Sequence, residues 1–147
     1  MLHVRIDVPT TIPALEALTE GLVALNIELM QHASERGVEL PFLYDSGVVY
    51  RAEPSGREWW ESARDLLSVA SQKTGDCEDV ACYMVSWLRF YENEPARVHV
   101  IRNRRGNFHC LVQHADGSLE DPSAILLEME SDATGVPMRD LATRTTR

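Results

Sequence analysis

The sequence predicts an α+β domain: helices come first, a helix headed by a thiol follows, and an antiparallel sheet closes the order. Three observations carry this. Leu15, Leu18, Leu22, Leu25 and Leu29 recur at helical spacing. The runs "RVHVIRN" and "FHCLVQH" alternate apolar and polar residues, as strands do. The tripeptide "ADG" separates the second run from "GSLED", which is a hairpin signal.

Bulk properties set the frame. The chain has 147 residues, 44% hydrophobic and 25% charged, the balance of an ordinary globular domain. A core of this size is stable without disulfides or metal. One domain over residues 1–130 is expected, with 131–147 as a loose, polar C-terminal tail ending in "RDLATRTTR". The net charge of −9 argues against nucleic acid as a partner, because a phosphate backbone requires basic surface. No stretch approaches the roughly 20 apolar residues of a membrane span. The opening "MLHVRIDVPT" carries charges and a proline where a signal peptide needs an apolar run. A cytoplasmic setting with three free thiols is the expectation.

The elements follow in order. "LHVRIDV", Leu2 to Val8, alternates as a short strand. Pro9 and Pro13 end it and open a helix from Ala14 to Arg36, which Gly37 stops. Fewer than three heptads, without regular flanking charge pairs, favour a helix packed on its own core over a coiled-coil seam. "VELPFLYDSGVVYRAEPSG" mixes apolar residues with Pro41, Gly47, Pro54 and Gly56, so it reads as irregular or short extended structure. Arg57 to Lys73 reads as a helix with Trp60, Ala63, Leu67 and Ala70 on one face and Trp59 and Trp60 in the core. Gly75 breaks it. Asp76 then caps a helix running from Cys77 to Tyr91, with Cys77, Ala81, Met84, Val85 and Leu88 on one face. "ENEPAR" and "RRGN" are turns on either side of the first sheet strand.

The chemistry centres on Cys77. It is the first side chain inside its helix, where unpaired N–H groups and the positive end of the macrodipole favour a thiolate. Asp76 and Asp79 support the helix start. Glu78 and Asp79, about 100° and 200° around the helix from Cys77, are expected to face away from the sulfur. These acids still oppose a thiolate at long range, so a cationic partner is needed. A cysteine nucleophile takes an imidazole for this, and the imidazole takes an acceptor on its other nitrogen. Of His3, His32, His99, His109 and His114, only His109 has an acid nearby on the next strand, Asp121.

Strand parity tests that pairing. His109 and Asp121 share a face only if the hairpin loop has an odd number of residues. A three-residue loop, Ala115–Asp116–Gly117, with Gly117 left-handed, pairs 114 with 118 and 111 with 121 and sets Asp121 diagonal to His109. A two-residue turn sends Asp121 to the opposite face. Cys82 and Cys110 read as packed thiols. His99 reads as buried or near the site, and His114 as exposed. A buried structural thiol stays open as the other reading of Cys77. Zinc is the rival chemistry, with Cys77, Cys82, His109 and Cys110 as its possible ligands, and it is disfavoured: His109 and Cys110 point to opposite faces, and no CxxC or HxxxH spacing exists. No cofactor is implied, because neither a phosphate-binding glycine loop nor a dinucleotide fingerprint is present.

"GDCEDVA", "PARVHV", "FHCLVQ" and "EDPS", in that order over about Thr74 to Ser123, resemble the transglutaminase-like branch of the papain-like cysteine enzymes. The run "LYDSGVVYRAEPSGREWW…GDCED" is also similar to small proteins of this type in phages and their bacterial hosts. The resemblance implies a papain-like core with the nucleophile helix packed on an antiparallel sheet. It also implies a nucleophile at Cys77, a base and acid at His109, and an orienting carboxylate at Asp121. Gln72 resembles the upstream oxyanion glutamine, with a spacing off by one; its other reading is a solvated residue at a helix end. Two features depart from the pattern. Leu111 stands where an aromatic usually follows the histidine, and the histidine-to-aspartate interval is short. The activity implied is acyl transfer at an amide of a protein or peptide, by hydrolysis as a protease or amidase. Cross-linking by an acceptor amine is the alternative chemistry, and a phage structural or interaction protein that keeps the fold without turnover is the alternative class.

Overall fold

The computed structural model describes residues 4–53, 58–69 and 72–142. Its first helix, α1, spans Ile12–Glu35. The Thr11 hydroxyl caps it by accepting from the Ala14 N–H at 3.3 Å, and Pro13 sits in the first turn, where a missing N–H costs nothing. At the other end Gly37, at φ +74°, takes the left-handed position. Its N–H bonds Ser34 O and the Val38 N–H bonds Ala33 O, which closes a Schellman motif.

The buried face of α1 is Thr19, Leu22, Val23, Asn26 and Met30; of the leucine stripe Leu22 is buried and Leu15 and Leu29 pack against the core, but Leu25 is 48% exposed. Close approach by small residues of a later helix sets this rotation. Ser86 Oγ donates to Val23 O at 3.3 Å, and Cys82 Sγ lies 3.8 Å from Thr19 O. Residues 4–8 do not form the expected strand, and Val4 and Ile6 are well exposed. Alternation alone makes no strand without an edge to pair with. Leu2 and His3 lie outside the described residues.

A 3-10 turn at Leu43–Asp45 leads to strand β1, Val49–Tyr50. Strand β2, Thr74–Gly75, pairs with it in parallel, Val49 opposite Thr74 and Tyr50 opposite Gly75. Between them the expected helix over 57–73 shrinks to α2, Ala63–Leu66. Tertiary acceptors take the N–H groups needed to start it earlier. Glu61 N–H donates to Asp79 Oδ1 at 2.6 Å, and Ala63 N–H donates to Asn26 Oδ1 at 2.7 Å. Beyond it, Gln72 and Lys73 have positive φ, which no helix accommodates. Trp60 packs on the core, but Trp59 is 53% exposed, contrary to expectation. Residues Arg57, Ala70 and Ser71 of that stretch lie outside the described residues.

Helix α3, Cys77–Tyr91, starts and ends as expected. It is buried almost all round, from Glu78 to Ser86 and again at Leu88. Strands β3 (Arg97–Arg102), β4 (Phe108–Gln113) and β5 (Leu119–Glu120) form an antiparallel sheet in that order. Alternate residues Val98, Val100, Cys110 and Val112 face the core with Val80, Met84 and Val85 of α3. Each fully buried aliphatic side chain contributes about 1.5–3 kcal/mol. Three polar tips of α3 fix the irregular segment before β1: Tyr83 OH donates to Pro41 O, Trp87 Nε1 donates to Leu40 O, and Tyr91 OH accepts from Leu40 N–H.

The segment beyond Met129 is not a loose tail as far as residue 142. Helix α4 runs Pro122–Thr134 and is closed by Gly135 at φ +71°. Helix α5 follows at Met138–Ala142, with Leu141 fully buried. Arg51 grips Glu130 of α4 through two 2.7 Å bonds, so a charge the sequence placed in a polar tail is a tertiary anchor. Residues 143–147 lie outside the described residues. The whole is α+β: among the described residues, five helices, a three-strand antiparallel sheet and a two-strand parallel sheet. None of the described helices is long and apolar enough to cross a membrane.

Candidate active site

The hairpin loop has three residues. Val112 faces Glu120 and Gln113 faces Leu119, and His114 N–H bonds Ser118 O at 2.9 Å. Gly117 sits at φ +85°, the left-handed conformation that this loop requires in its last position. The register therefore puts residue 121 diagonal to 109 on one face. His109 Nε2 and Asp121 Oδ2 are 2.8 Å apart.

Asp121 is held twice. It is the N-cap of α4, and its Oδ1 accepts from the Ala124 N–H at 3.2 Å while Oδ2 takes the imidazole. Burial works against its charge, but the His109 hydrogen bond and charge hold the carboxyl below the usual range. Cys77 is a second neighbour close enough to act on the same ring. Nε2 is committed to Asp121, so Nδ1 is the ring nitrogen free of that bond. Asp121 first, then Cys77, raise the ring to about 10 against the opposing effect of burial. Both neighbours therefore favour the charged form of the ring, the form it takes on accepting a proton.

The thiol itself is partly buried and pushed well up. The Cys110 thiol beside it is the largest cause and burial the second; His109 pulls the other way. Its Sγ also lies 3.4 Å from Glu78 Oε2. Glu78 thus faces the sulfur, contrary to expectation, and is 5% exposed. Burial raises Asp76, Glu78 and Asp79, Glu78 and Asp79 most of all. Buried carboxyls hold protons into a higher pH range and so carry less negative charge beside the thiol.

Asp76 and Asp79 do support the helix start. They form a capping box in which the Asp76 N–H donates to Asp79 Oδ2 at 3.2 Å. Asp79 also receives the Glu61 N–H, which ties the segment before α2 to α3. Gly75 is needed beside them: a Cβ there would lie 2.6 Å from Leu66 Cδ1 and 3.1 Å from Asp79 Cβ.

The structure therefore brings Cys77, His109 and Asp121 together. Gln72 is exposed, in the left-handed turn before β2. Cys82 and Cys110 are buried as expected, and Cys110 adjoins Cys77. Sequence reading missed Tyr50, whose phenol burial drives up, with further push from Cys77 and the acids around it. It also missed His114, expected to be exposed. The ring bridges Glu94 (Nδ1, 2.8 Å) and Glu120 (Nε2, 2.7 Å), and Tyr44 OH donates to the other Glu120 oxygen. The acids at 94 and 120 were the available signal for that bridge. A concavity of about 520 Å³ lined by Phe42, Trp87, Leu88, Glu92 and Glu94 lies toward the other end of α3. Helix rise puts Leu88 about 16 Å along the axis from Cys77, so this concavity does not serve the thiol.

Neither a protein-family model nor a curated protein nor a solved structure matches this chain.

Proposed function

We propose that this chain is a cysteine-dependent acyl-transfer enzyme of transglutaminase-like, papain-like architecture, acting on an amide bond of a protein or peptide. The observation that carries the reading is the grouping of thiol, imidazole and carboxylate, with His109 held at 2.8 Å by Asp121 and Cys77 acting on the same ring. Cys77 is the nucleophile, His109 the base and acid, and Asp121 the orienting group.

Chemistry follows from that order. The thiol proton passes to the imidazole, and Asp121 stabilises the resulting cation. The thiolate attacks the amide carbon, forming the C–S bond. The C–N bond breaks as His109 returns its proton to the leaving amine, and a thioester remains. The Cys77 backbone N–H, free at the helix start, is positioned to donate to the developing oxyanion. Water then cleaves the thioester to the acid. An acceptor amine in place of water makes this a cross-linking reaction, and hydrolysis is the reading proposed.

A second reading, a structural or interaction protein that keeps the fold without turnover, is favoured by one observation. The resting thiol is raised by Cys110 and by burial, and it contacts Glu78. Iodoacetamide labelling near neutral pH, read by mass spectrometry at each cysteine, separates the two. Preferential labelling of Cys77, lost in His109→Ala, is the enzyme's result. Equal, slow labelling of Cys77, Cys82 and Cys110 refutes the catalytic reading and leaves the scaffold.

A further inference from the structure

We propose that Glu53, Glu58, Asp76 and Glu78 form a binding site for a hard divalent cation at the start of α3. Each offers one carboxylate oxygen, and the four oxygens lie within 4.8 Å of one another. Oxygens around a single cation at 2.0–2.6 Å fall within about that spacing. Carboxylate oxygen is the donor chemistry that selects magnesium, calcium or manganese over zinc or copper. Among the described residues this is the set of His, Cys, Asp and Glu groups arranged to share an ion.

Burial supplies the independent reason. Asp76 is 6% exposed and Glu78 5%; the two carboxyls neighbour each other, yet no hydrogen-bond donor reaches Asp76 Oδ1 or Glu78 Oε1. Among the described residues, no arginine or lysine pairs with either. A buried carboxyl oxygen without a donor is unfavourable when charged, so such a pair takes up either a proton or a cation, and orphaned atoms in a native interior call for an ion or an ordered water. The two other carboxylates lie nearer the surface: Glu53 is half-buried and Glu58 exposed, which gives an ion a way in. Glu53 Oε2 also accepts the Trp59 N–H at 2.7 Å, so the segment carrying Glu58 is tethered over the buried pair. The site is assembled from two separate stretches of chain, and an ion in it joins the segment after β1 to the nucleophile helix.

The proposal concerns binding and stands apart from turnover. The full-length chain is titrated with Ca²⁺, Mg²⁺ and Mn²⁺ by isothermal calorimetry. Tb³⁺ luminescence sensitised by tryptophan gives a second readout, since Trp59 and Trp60 adjoin Glu58. At least one of the three divalent ions is expected to bind with a stoichiometry of one and to raise the thermal midpoint. The Glu53→Gln/Glu58→Gln variant, altered only at the accessible ligands, is expected to keep the wild-type circular dichroism spectrum. Its affinity should fall about tenfold or more, at least the loss seen when groups outside the ligand shell are changed. Absence of binding at millimolar ion overturns the proposal and leaves protons as the charge that neutralises the cluster. Unchanged affinity in the double variant overturns it too, because the ion then sits elsewhere.

Discussion

Replacing Asp121 by Asn tests the His109 environment most directly. Asparagine caps helices as well as aspartate does, so the Ala124 bond that starts α4 is preserved while the charge is removed. In the native chain the ring is raised to about 10 from 6.5, with Asp121 the largest cause and Cys77 the next. A shift of that size corresponds to about 5 kcal/mol at 1.36 kcal/mol per pKa unit. The pair is open to water, with His109 24% and Asp121 36% exposed at the side chain. Solvent screening and the share owed to Cys77 leave about 1–2 kcal/mol for the Asp121 bond. Asp121→Asn should therefore lower the ring's midpoint by about one unit, as followed by the His109 Hε1 resonance against pH. Because the folded-state value is raised, this stabilisation is fully present below about 6.5 and is lost as pH rises through about 10. The Asp121 carboxyl is itself depressed, so its contribution is lost as pH falls below about 3.9. The difference in thermal midpoint between wild type and variant should be widest between about pH 4 and 6.5. A wild-type midpoint near 6.5, or one that Asp121→Asn leaves in place, refutes the reasoning.

Two further outcomes are expected. Leu141→Ala removes a fully buried side chain of α5 and should cost about 2–5 kcal/mol in urea unfolding; a loss under about 0.5 kcal/mol means that α5 does not dock. For His114, burial works to lower the ring, but hydrogen bonds to Glu120 and Glu94 outweigh it and raise the ring above its usual value. The bridge's stabilisation is then present below about 6.5 and lost as pH rises through the raised value. His114→Ala should lower the thermal midpoint more at pH 6 than at pH 9, and a pH-independent difference refutes the bridge.

Local physics was legible in the letters. Thr11, Pro13 and Gly37 mark the ends of α1 because capping and left-handed closure need only neighbouring residues. Asp76 before Cys77 marks the start of α3 for the same reason. The alternation of β3 and β4, and the glycine at 117, fixed the hairpin register, and the register put Asp121 on the side of His109. Tertiary structure alone decided the rest. The helix over 57–73 failed because Asp79 and Asn26, distant in sequence, took its amide hydrogens. The exposed Leu25 and buried Asn26 of α1 follow from how closely Cys82 and Ser86 approach its backbone. α5 holds because its Leu141 is buried, and Arg51 clamps α4 through Glu130, a residue 79 positions away. Most consequential is the acid around the thiol. The sequence shows that Asp76 and Glu78 flank Cys77, but only folding buries them, gathers Glu53 and Glu58 beside them, and leaves two oxygens unpartnered. Short-range hydrogen bonding and strand parity are encoded within a few residues. Desolvation and long-range pairing are properties of the folded chain.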